Sequence, residues 1–459
     1  MNHLAAMIPA PNEARARPTK RLGVAFGYRF FLLLLIGLIW LVPAFADQRF
    51  AYAMLAWDAL VILAWIADLR FLPKPEALLI RRTWLAPPAL SVKSQVSIAV
   101  QNDSSVTLHL DLLDSLPTAL CSEPPKLNLT VSPNKESEAQ YTTRPSKRGT
   151  AKASLVYLRY QGPMRIAERW AVAEIPQQVT IYPDLDEAKR HAVYLIRSRQ
   201  IELEKRLSHI RGAGRAFESL RKYRDGDEFR DICWTATARR GELVTRLYEL
   251  EKSQTIWIVL DTGRLMRTRV ASLSKLDHAT TAALALSQVA LYTGDRVGLL
   301  AYARTIRQRL PATRGSAQLR QLMESLAAVR EDEWEADHLQ AASRLMRDQK
   351  RRSLVVWITD LAETAMTPEV IEAASALLPT HLVLFVAIGQ ADLQQVASQR
   401  PENVDEMYAV AAAQEIVHRR ELLLARLRER GALAVEADSA KLAPLLVNSY
   451  LEIKQKSKL

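Results

Sequence analysis

Two aspartates close apolar runs that have the character of buried strands. Asp261 ends Ile256-Trp257-Ile258-Val259-Leu260, and Asp360 follows the run Ser353 to Thr359. In an open α/β sheet, ligands gather beyond the carboxyl ends of the strands, where strand order reverses. Two carboxylates brought to such a point suit a hard divalent cation such as Mg²⁺, which takes oxygen ligands. Carboxylates that merely cap strand and helix ends are the alternative these residues leave open. The rest of the chain adds little catalytic machinery. It has no Walker loop, HExxH, GxSxG or zinc-spaced Cys/His cluster. Asp261-Thr262-Gly263 lacks the acid two residues later that a phosphoryl-aspartate motif needs, and histidines such as His278, His338, His381 and His418 are scattered. Cys233, beside Trp234, is most simply a buried small side chain. Gly212-Ala213-Gly214 is no dinucleotide fingerprint, since it lacks a third glycine and follows a helical pattern.

The elements that must position the two acids alternate between strand and helix. Apolar strands are expected at Thr255 to Leu260, Arg296 to Tyr302, Ser353 to Thr359 and Leu382 to Ile388, with a short one near Leu433 to Glu436. Amphipathic helices separate them, near Lys275 to Tyr292, Ser316 to Ala328, Glu335 to Asp348, Pro368 to Leu377, Val404 to Arg430 and Ser439 to Lys454. Strands apolar on both faces and separated by helices indicate an α/β fold with a doubly wound, mostly parallel sheet. On the helix Val404 to Arg430, the residues Arg419, Arg420, Arg426, Arg428 and Arg430 predict a solvated face. Upstream, Ala77 to Pro183 breaks into short alternating runs bounded by Pro, Asn, Ser or Gly, the spacing of a β-sandwich-like domain. Asp184 to Ile210 has the pattern of a helix rich in both charges.

Directly before the first α/β strand, Arg221 to Glu251 is RKYRDGDEFRDICWTATARRGELVTRLYELE. The ordered set Arg221, Tyr223, Gly226, Asp227, Arg230, Ile232, Trp234, Ala238, Arg239, Gly241, Glu242 and Arg246 resembles the hallmark of a bacterial membrane-anchored family. That family is catalogued as domain of unknown function 58, and it joins a β-rich domain to a von Willebrand factor A-like (vWA-like) domain. The resemblance extends to the closing Asn448-Ser449-Tyr450-Leu451-Glu452-Ile453-Lys454. Two readings of the segment stay open. One is an internal network of ion pairs, for which arginine's bidentate geometry is suited, with Ile232 and Trp234 anchoring it in a core. The other is a docking surface for an acidic or nucleotide-bearing partner. At Gly162-Pro163-Met164-Arg165, Arg165 stands where many relatives carry a turn glycine, which predicts a different backbone conformation there.

The resemblance implies a metal-ion-dependent adhesion site, built from Asp-x-Ser-x-Ser, a threonine from another loop and a later aspartate. Here Asp261 and Asp360 match the acids, but Gly263 and Leu265 replace both serines. Thr313 or Ser316 is the candidate hydroxyl. The expected metal set is therefore Asp261, Asp360 and Thr313, with Mg²⁺ as the ion. Arg264 is placed to pair with either acid and substitute for it.

Near the N-terminus, Val24 to Ala46 and Phe50 to Ala67 are almost wholly apolar apart from Arg29 and Asp58. Segments of about 20 residues span a hydrocarbon core of roughly 30 Å. Two in succession, joined by Asp47-Gln48-Arg49, predict a transmembrane helical hairpin rather than a cleaved signal peptide. Arginines and lysines flank both ends, which predicts a multi-pass protein of the cytoplasmic (inner) membrane with both termini in the cytoplasm. Asp58 is an intramembrane acid, with a functional role and a hydrogen bond inside the bundle as open readings. Cys121 and Cys233 are too far apart in sequence to suggest a disulfide framework, consistent with a reducing compartment. The net charge of +12 comes from basic residues interleaved with acids, without a nucleic-acid motif, so no nucleic-acid partner is expected. The expected organisation is an N-terminal tail over 1–23, two spans over 24–70, a β-sandwich-like domain over 76–183, a connector over 184–252 and a vWA-like domain over 253–459.

A ligand-type crevice without catalytic groups points to a non-enzymatic, membrane-tethered interaction or adaptor protein. Proteins of the resembled family are commonly encoded beside MoxR-type AAA+ ATPases, which implies such an ATPase as partner in assembly or maturation of a complex. A metal-dependent hydrolase at Asp261 and Asp360 and a structural envelope scaffold are the alternatives.

Overall fold

Alternation of apolar and polar residues builds the first half of the chain. The structure, a computed structural model, describes residues 7–19, 23–44, 47–184, 216–224, 229, 232–249, 253–361 and 369–455. It divides into two units, Met1–Tyr182 and Pro183–Leu459. The strands of the first are β1 (Asn12–Arg15), β2 (Arg17–Pro18), β3 (Val24–Phe26), β4 (Leu78–Trp84), β5 (Ser94–Asn102), β6 (Leu108–Ser115), β7 (Lys126–Val131), β8 (Lys135–Thr143), β9 (Gly149–Gln161) and β10 (Ala167–Ile181). They form two antiparallel sheets, β1-β4-β5-β8 and β2-β10-β9-β6-β7, with β3 also on β10. Every second residue of β4 (Leu78, Ile80, Arg82, Trp84) and of β6 (Leu108, Leu110, Leu112, Asp114) is buried. Residues of both sheets, among them Ile80, Val96, Leu110 and Leu158, share one apolar core.

Within the expected N-terminal tail, Asn12–Arg15 pairs with β4 and Arg17–Pro18 with β10. Strands of two to four residues are too short to show a period. The chain does not change conformation at Arg165. Its φ of 57° keeps the left-handed turn that glycine would take, at an expense of about 1 kcal/mol, and its guanidinium lies 3.1 Å from His109 Nε2.

The apolar N-terminal region differs from a hairpin of two spans. Val24–Phe26 joins β10 as a strand, so the first helix, α1 (Tyr28–Ala44), starts late and is short. Among the described residues only α2 (Arg49–Phe71) is long and apolar enough to cross a membrane, by length and composition. Of the expected multi-pass arrangement, the described residues support one candidate membrane-spanning helix. α1 and α2 touch where the Trp57 indole donates to the Leu33 carbonyl at 2.9 Å. Asp58 faces the same contact, since a Cβ on Gly37 would lie 3.1 Å from its Oδ1. The last turns of α2 are fastened to the sheets. Asp68 is buried and accepts from the Ile166 and Ala167 amides at 3.0 and 2.9 Å. Arg169 donates to the Leu69 carbonyl at 3.2 Å.

The second unit contains β11 (Ala216–Lys222), α3 (Trp234–Arg240), β12 (Val244–Glu249), β13 (Thr255–Asp261), β14 (Arg269–Val270), β15 (Leu273–Ser274), α4 (Lys275–Tyr292), β16 (Arg296–Tyr302), β17 (Ile306–Thr313), α5 (Ser316–Ala328), α6 (His338–Asp348), β18 (Leu354–Thr359), α7 (Glu369–Leu377), β19 (Leu382–Gly389), α8 (Ala391–Ser398), α9 (Val404–Glu429), β20 (Leu433–Asp438) and α10 (Leu442–Gln455). The expected helix over Asp184 to Ile210 and the Gly212-Ala213-Gly214 stop fall almost wholly outside the described residues. The main sheet has the order β17-β16-β13-β18-β19-β20. Neighbours are parallel except β16 and β17, which run antiparallel. From β13 the chain builds β16 and β17 on one side, then returns to lay β18 on the other. The order therefore reverses between β13 and β18, whose carboxyl ends carry Asp261 and Asp360. β13, β18 and β19 are buried almost throughout, which is why their residues are Val, Ile, Leu, Trp and Phe with scarcely a polar interruption.

Candidate functional site

The switch point holds both acids out of water. Asp261 is 3% exposed and Asp360 1%. Asp261 Oδ1 accepts from the Gly263 amide at 2.7 Å, and its Oδ2 from the Thr359 hydroxyl at 2.6 Å. The two oxygens of Asp360 are taken by cations. Lys275 Nζ lies 2.6 Å from Oδ2, and Arg420 Nη2 3.1 Å from Oδ1. Both cations are buried, with side chains 2% and 3% exposed. Local structure explains how they arrive there. A capping box, in which Ser274 and Asp277 each accept the other's amide, starts α4 at Lys275 and fixes the lysine at its first turn. Arg420 stands on the stripe of α9 that buries Ala413, Leu423, Leu424 and Leu427, so it enters the interior with the apolar residues. Its Nη1 also donates to Glu436 at 2.8 Å. The expectation of a solvated arginine face on α9 is thus wrong for Arg420.

The remaining members of the expected metal set are elsewhere. Thr313 lies opposite Val297, at the amino end of β16, whereas Asp261 is level with Tyr302 at its carboxyl end. At about 3.3 Å per residue the two are roughly 17 Å apart along the sheet. The Thr313 hydroxyl donates to Gln318 Oε1 at 2.6 Å. Arg264 Nη2 lies 3.3 Å from Glu335. At Gly263, where the resembled motif has its first serine, a Cβ would lie 3.0 Å from the Ala336 amide and 3.1 Å from Asp261 Oδ1. Arg420 Nε is a buried polar atom without a hydrogen-bond partner among the described residues. It is a donor, and a cation needs acceptors. The residues present do not fit a divalent ion.

Beside the acids lies an open cleft of about 790 Å³ lined by Arg264, Arg304, Trp334, Asp337, Gln340 and Glu369, among others. Trp334 is 61% exposed, and the Arg304 guanidinium lies 5.6 Å from its ring centroid. Beneath the cleft, the Trp357 indole donates to the Tyr302 hydroxyl at 2.6 Å, which sits 2.7 Å from His338 Nδ1. Burial pushes His338 down to about 4, so it is neutral at physiological pH. It has the chemistry of a core hydrogen-bonding group.

Burial also pushes Asp261 up to about 6, against the lowering effects of Thr359 and Gly263, with the Asp360 charge adding to the rise. The folded state then holds a proton that the unfolded chain has lost between about pH 4 and pH 6, so stability falls as pH rises through that window. Ionising this buried acid costs of order 3 kcal/mol. Asp261→Asn removes this titration, so the stability difference, wild type minus variant, should fall from pH 4 to pH 6 and then level off. Denaturant midpoints of the two proteins across that range measure it, and parallel curves would refute it.

The signature segment forms a two-stranded antiparallel ribbon, β11 with β12, with α3 between them. Arg221 pairs with Thr245 in this ribbon and Arg246 with Leu220. Lys222 and Glu242, both largely exposed, make an ion pair at 2.9 Å. Tyr223 stacks obliquely on Phe229, with centroids 6.2 Å apart. Ile232 is buried, but Trp234 is 65% exposed, so only the first serves as an anchor. Arg239 and Arg240 are exposed in the last turn of α3, and Gly241 ends it with φ 69°. Gly226, Asp227 and Arg230 lie outside the described residues.

Fold and site together define an α/β domain with a mixed six-stranded sheet and a charge-neutralised pair of acids at its switch point. Residues 219–398 of this domain match the family model described as "Protein of unknown function DUF58", so the chain carries a DUF58 family domain. Its relatives include the uncharacterized proteins Mb1516 of Mycobacterium bovis (strain ATCC BAA-935 / AF2122/97) and Rv1480 of Mycobacterium tuberculosis (strain ATCC 25618 / H37Rv). Each is 27% identical over 156 residues, which is 34% of this chain and 49% of the relative. The chain thus spans about half the length of the curated relatives it matches. Among solved structures, the conserved hypothetical protein BatB from Bacteroides thetaiotaomicron is 17% identical, covers 44% of this chain and all of its own, and gives a TM-score of 0.30. Proximal thread matrix protein 1 from the mussel byssus is 10% identical over 43% of this chain and 46% of its own, with a TM-score of 0.28.

Proposed function

We propose that this chain is a non-enzymatic, membrane-tethered interaction protein whose second unit is a vWA-like domain. In this reading it works with a MoxR-type AAA+ ATPase in the assembly or maturation of a partner complex, with α2 as the tether. The observation that carries the reading is the switch point itself. Its acids are engaged by the chain's own amide, hydroxyl, lysine and arginine, while the neighbouring cleft offers an exposed Trp334 under Arg304. That combination is suited to recognition. Tryptophan and arginine are the residues that most often dominate binding at protein interfaces. The sheet order with its antiparallel edge strand β17 supports the vWA-like assignment.

The test uses the full-length chain in lipid nanodiscs and a purified MoxR-type ATPase from the same genome, titrated with ADP and with a non-hydrolysable ATP analogue. Binding in at least one nucleotide state is expected, weakened at least tenfold by Trp334→Ala with Arg304→Glu. Removing such an interface anchor typically costs about 2 kcal/mol or more. Absence of binding in either state, or binding indifferent to these changes, would refute the reading.

A further inference from the structure

We propose that the Lys275 ammonium, assisted by the Arg420 guanidinium, permanently occupies the position of a divalent ion at the switch point, so that the crevice of this chain works without metal. The inference stands on the geometry alone and does not depend on the identity of the partner.

Charge balance comes first. Asp261 and Asp360 contribute two negative charges, and Lys275 and Arg420 two positive ones, all four being buried. Arg420 also pairs with the partly buried Glu436 at 2.8 Å, and a divalent ion added to this set would still leave uncompensated positive charge in a dry site, which low-dielectric surroundings oppose. Ligand supply comes second. An ion needs oxygen lone pairs directed at it, yet both oxygens of Asp360 already accept from buried cations, at 2.6 and 3.1 Å. The oxygens of Asp261 are likewise held by the Gly263 amide and the Thr359 hydroxyl. Space comes third. At Gly263 a serine Cβ would lie 3.0 Å from the Ala336 amide and 3.1 Å from Asp261 Oδ1, so restoring that ligand would need Ala336 to give by a few tenths of an ångström. The lysine is also placed by the backbone rather than by chance. The Ser274–Asp277 capping box fixes it at the start of α4, and its chain is covered along its whole length.

Removing the lysine should therefore uncover a metal site, because it leaves a buried carboxylate that a divalent ion can satisfy. The probe is Mn²⁺, followed by the electron paramagnetic resonance signal of the free ion and by thermal unfolding of the full-length chain in detergent. Wild type is expected to take up no Mn²⁺ that depends on Asp360, judged against Asp360→Asn, and its melting temperature should not move. Lys275→Ala should gain one site that Asp360→Asn abolishes. Its melting temperature should rise with Mn²⁺ concentration as the logarithm that linkage requires. Should Lys275→Ala not fold in metal-free buffer, its refolding in Mn²⁺ is read instead, and recovery is the expected result. Uptake by wild type that is lost in Asp360→Asn would overturn the proposal. So would a Lys275→Ala protein that neither gains a site nor is rescued by Mn²⁺.

Discussion

Asp114→Ala is expected to destabilise the first unit by about 3–5 kcal/mol, the usual consequence of removing one partner from a buried ion pair. Arg82 and Asp114 face each other from β4 and β6, on opposite sheets, and neither is exposed. Arg82 Nε donates to Asp114 Oδ2 at 2.9 Å and Nη2 donates to Oδ1, a bidentate pairing. Nη1 reaches the Ile175 carbonyl at 3.2 Å, and the Tyr141 hydroxyl donates to Asp114 Oδ2 at 2.5 Å. Burial, with the Asp114 charge adding to it, holds that phenol far above its ordinary range. Taking away the carboxylate leaves a guanidinium in an apolar core with only carbonyls and a side-chain amide for company. Replacing both partners, as Arg82→Met with Asp114→Leu, removes the unpaired charge and should recover most of the loss. Hydrogen exchange of β6 and β9 in the full-length chain reports the effect within this unit. An Asp114→Ala protein whose β9 amides exchange as slowly as wild type would contradict it.

The second large effect concerns the end of the chain. Asp295→Ala should weaken the α/β unit by about 3 kcal/mol, because it strips a buried acid from a cationic and a phenolic partner together. Asp295 is unexposed, and its Oδ1 accepts from the Gln254 amide at 2.9 Å. Its Oδ2 accepts from the Tyr450 hydroxyl at 2.6 Å and from Lys454 Nζ at 2.8 Å. Thr293 completes the group, its hydroxyl 2.6 Å from that of Tyr450. One carboxylate thus fastens α10 to the amino-terminal edge of the sheet, and this explains in physical terms why the closing segment needs Tyr450 and Lys454 four residues apart on one helical face. Tyr450→Phe removes the hydroxyl's hydrogen bonds to Asp295, Thr293 and Lys454 but leaves the acid paired with Lys454, so it should cost less, about 1–2 kcal/mol. Denaturant unfolding monitored by exchange in α10 ranks the variants, and a Tyr450→Phe loss equal to that of Asp295→Ala would refute the scheme.

The legibility of this chain followed burial. The strands β13, β18 and β19 were plain because both faces are covered, leaving continuous apolar runs, and the two aspartates stood out as the polar residues that end them. Their partners were hidden. Lys275 sits between a cap and an alanine-rich helix, and Arg420 among five arginines, where a charge is ordinarily solvated. Only its spacing from Ala413, Leu423, Leu424 and Leu427, seven back and three, four and seven forward, marked it as inward-facing. Thr313 was misplaced for a different reason. The alternation of Ile306, Gln308, Leu310 and Ala312 is that of a strand, but the antiparallel return of β17 beside β16 carries its end to the far side of the sheet. Hydropathy, likewise, could not separate a strand at Val24–Phe26 from the helix that follows, since both are apolar.

The pairing of the first residues has a practical consequence. Strands β1, β2 and β3 lie along β4 and β10, which would otherwise be the open borders of the two sheets. Bare borders carry a row of unpaired amides and carbonyls that templates association with other chains. The leading residues therefore act as a selvedge. A soluble fragment cut to begin after the apolar helices would lose all three strands, and its tendency to aggregate would report on the missing hem rather than on the membrane.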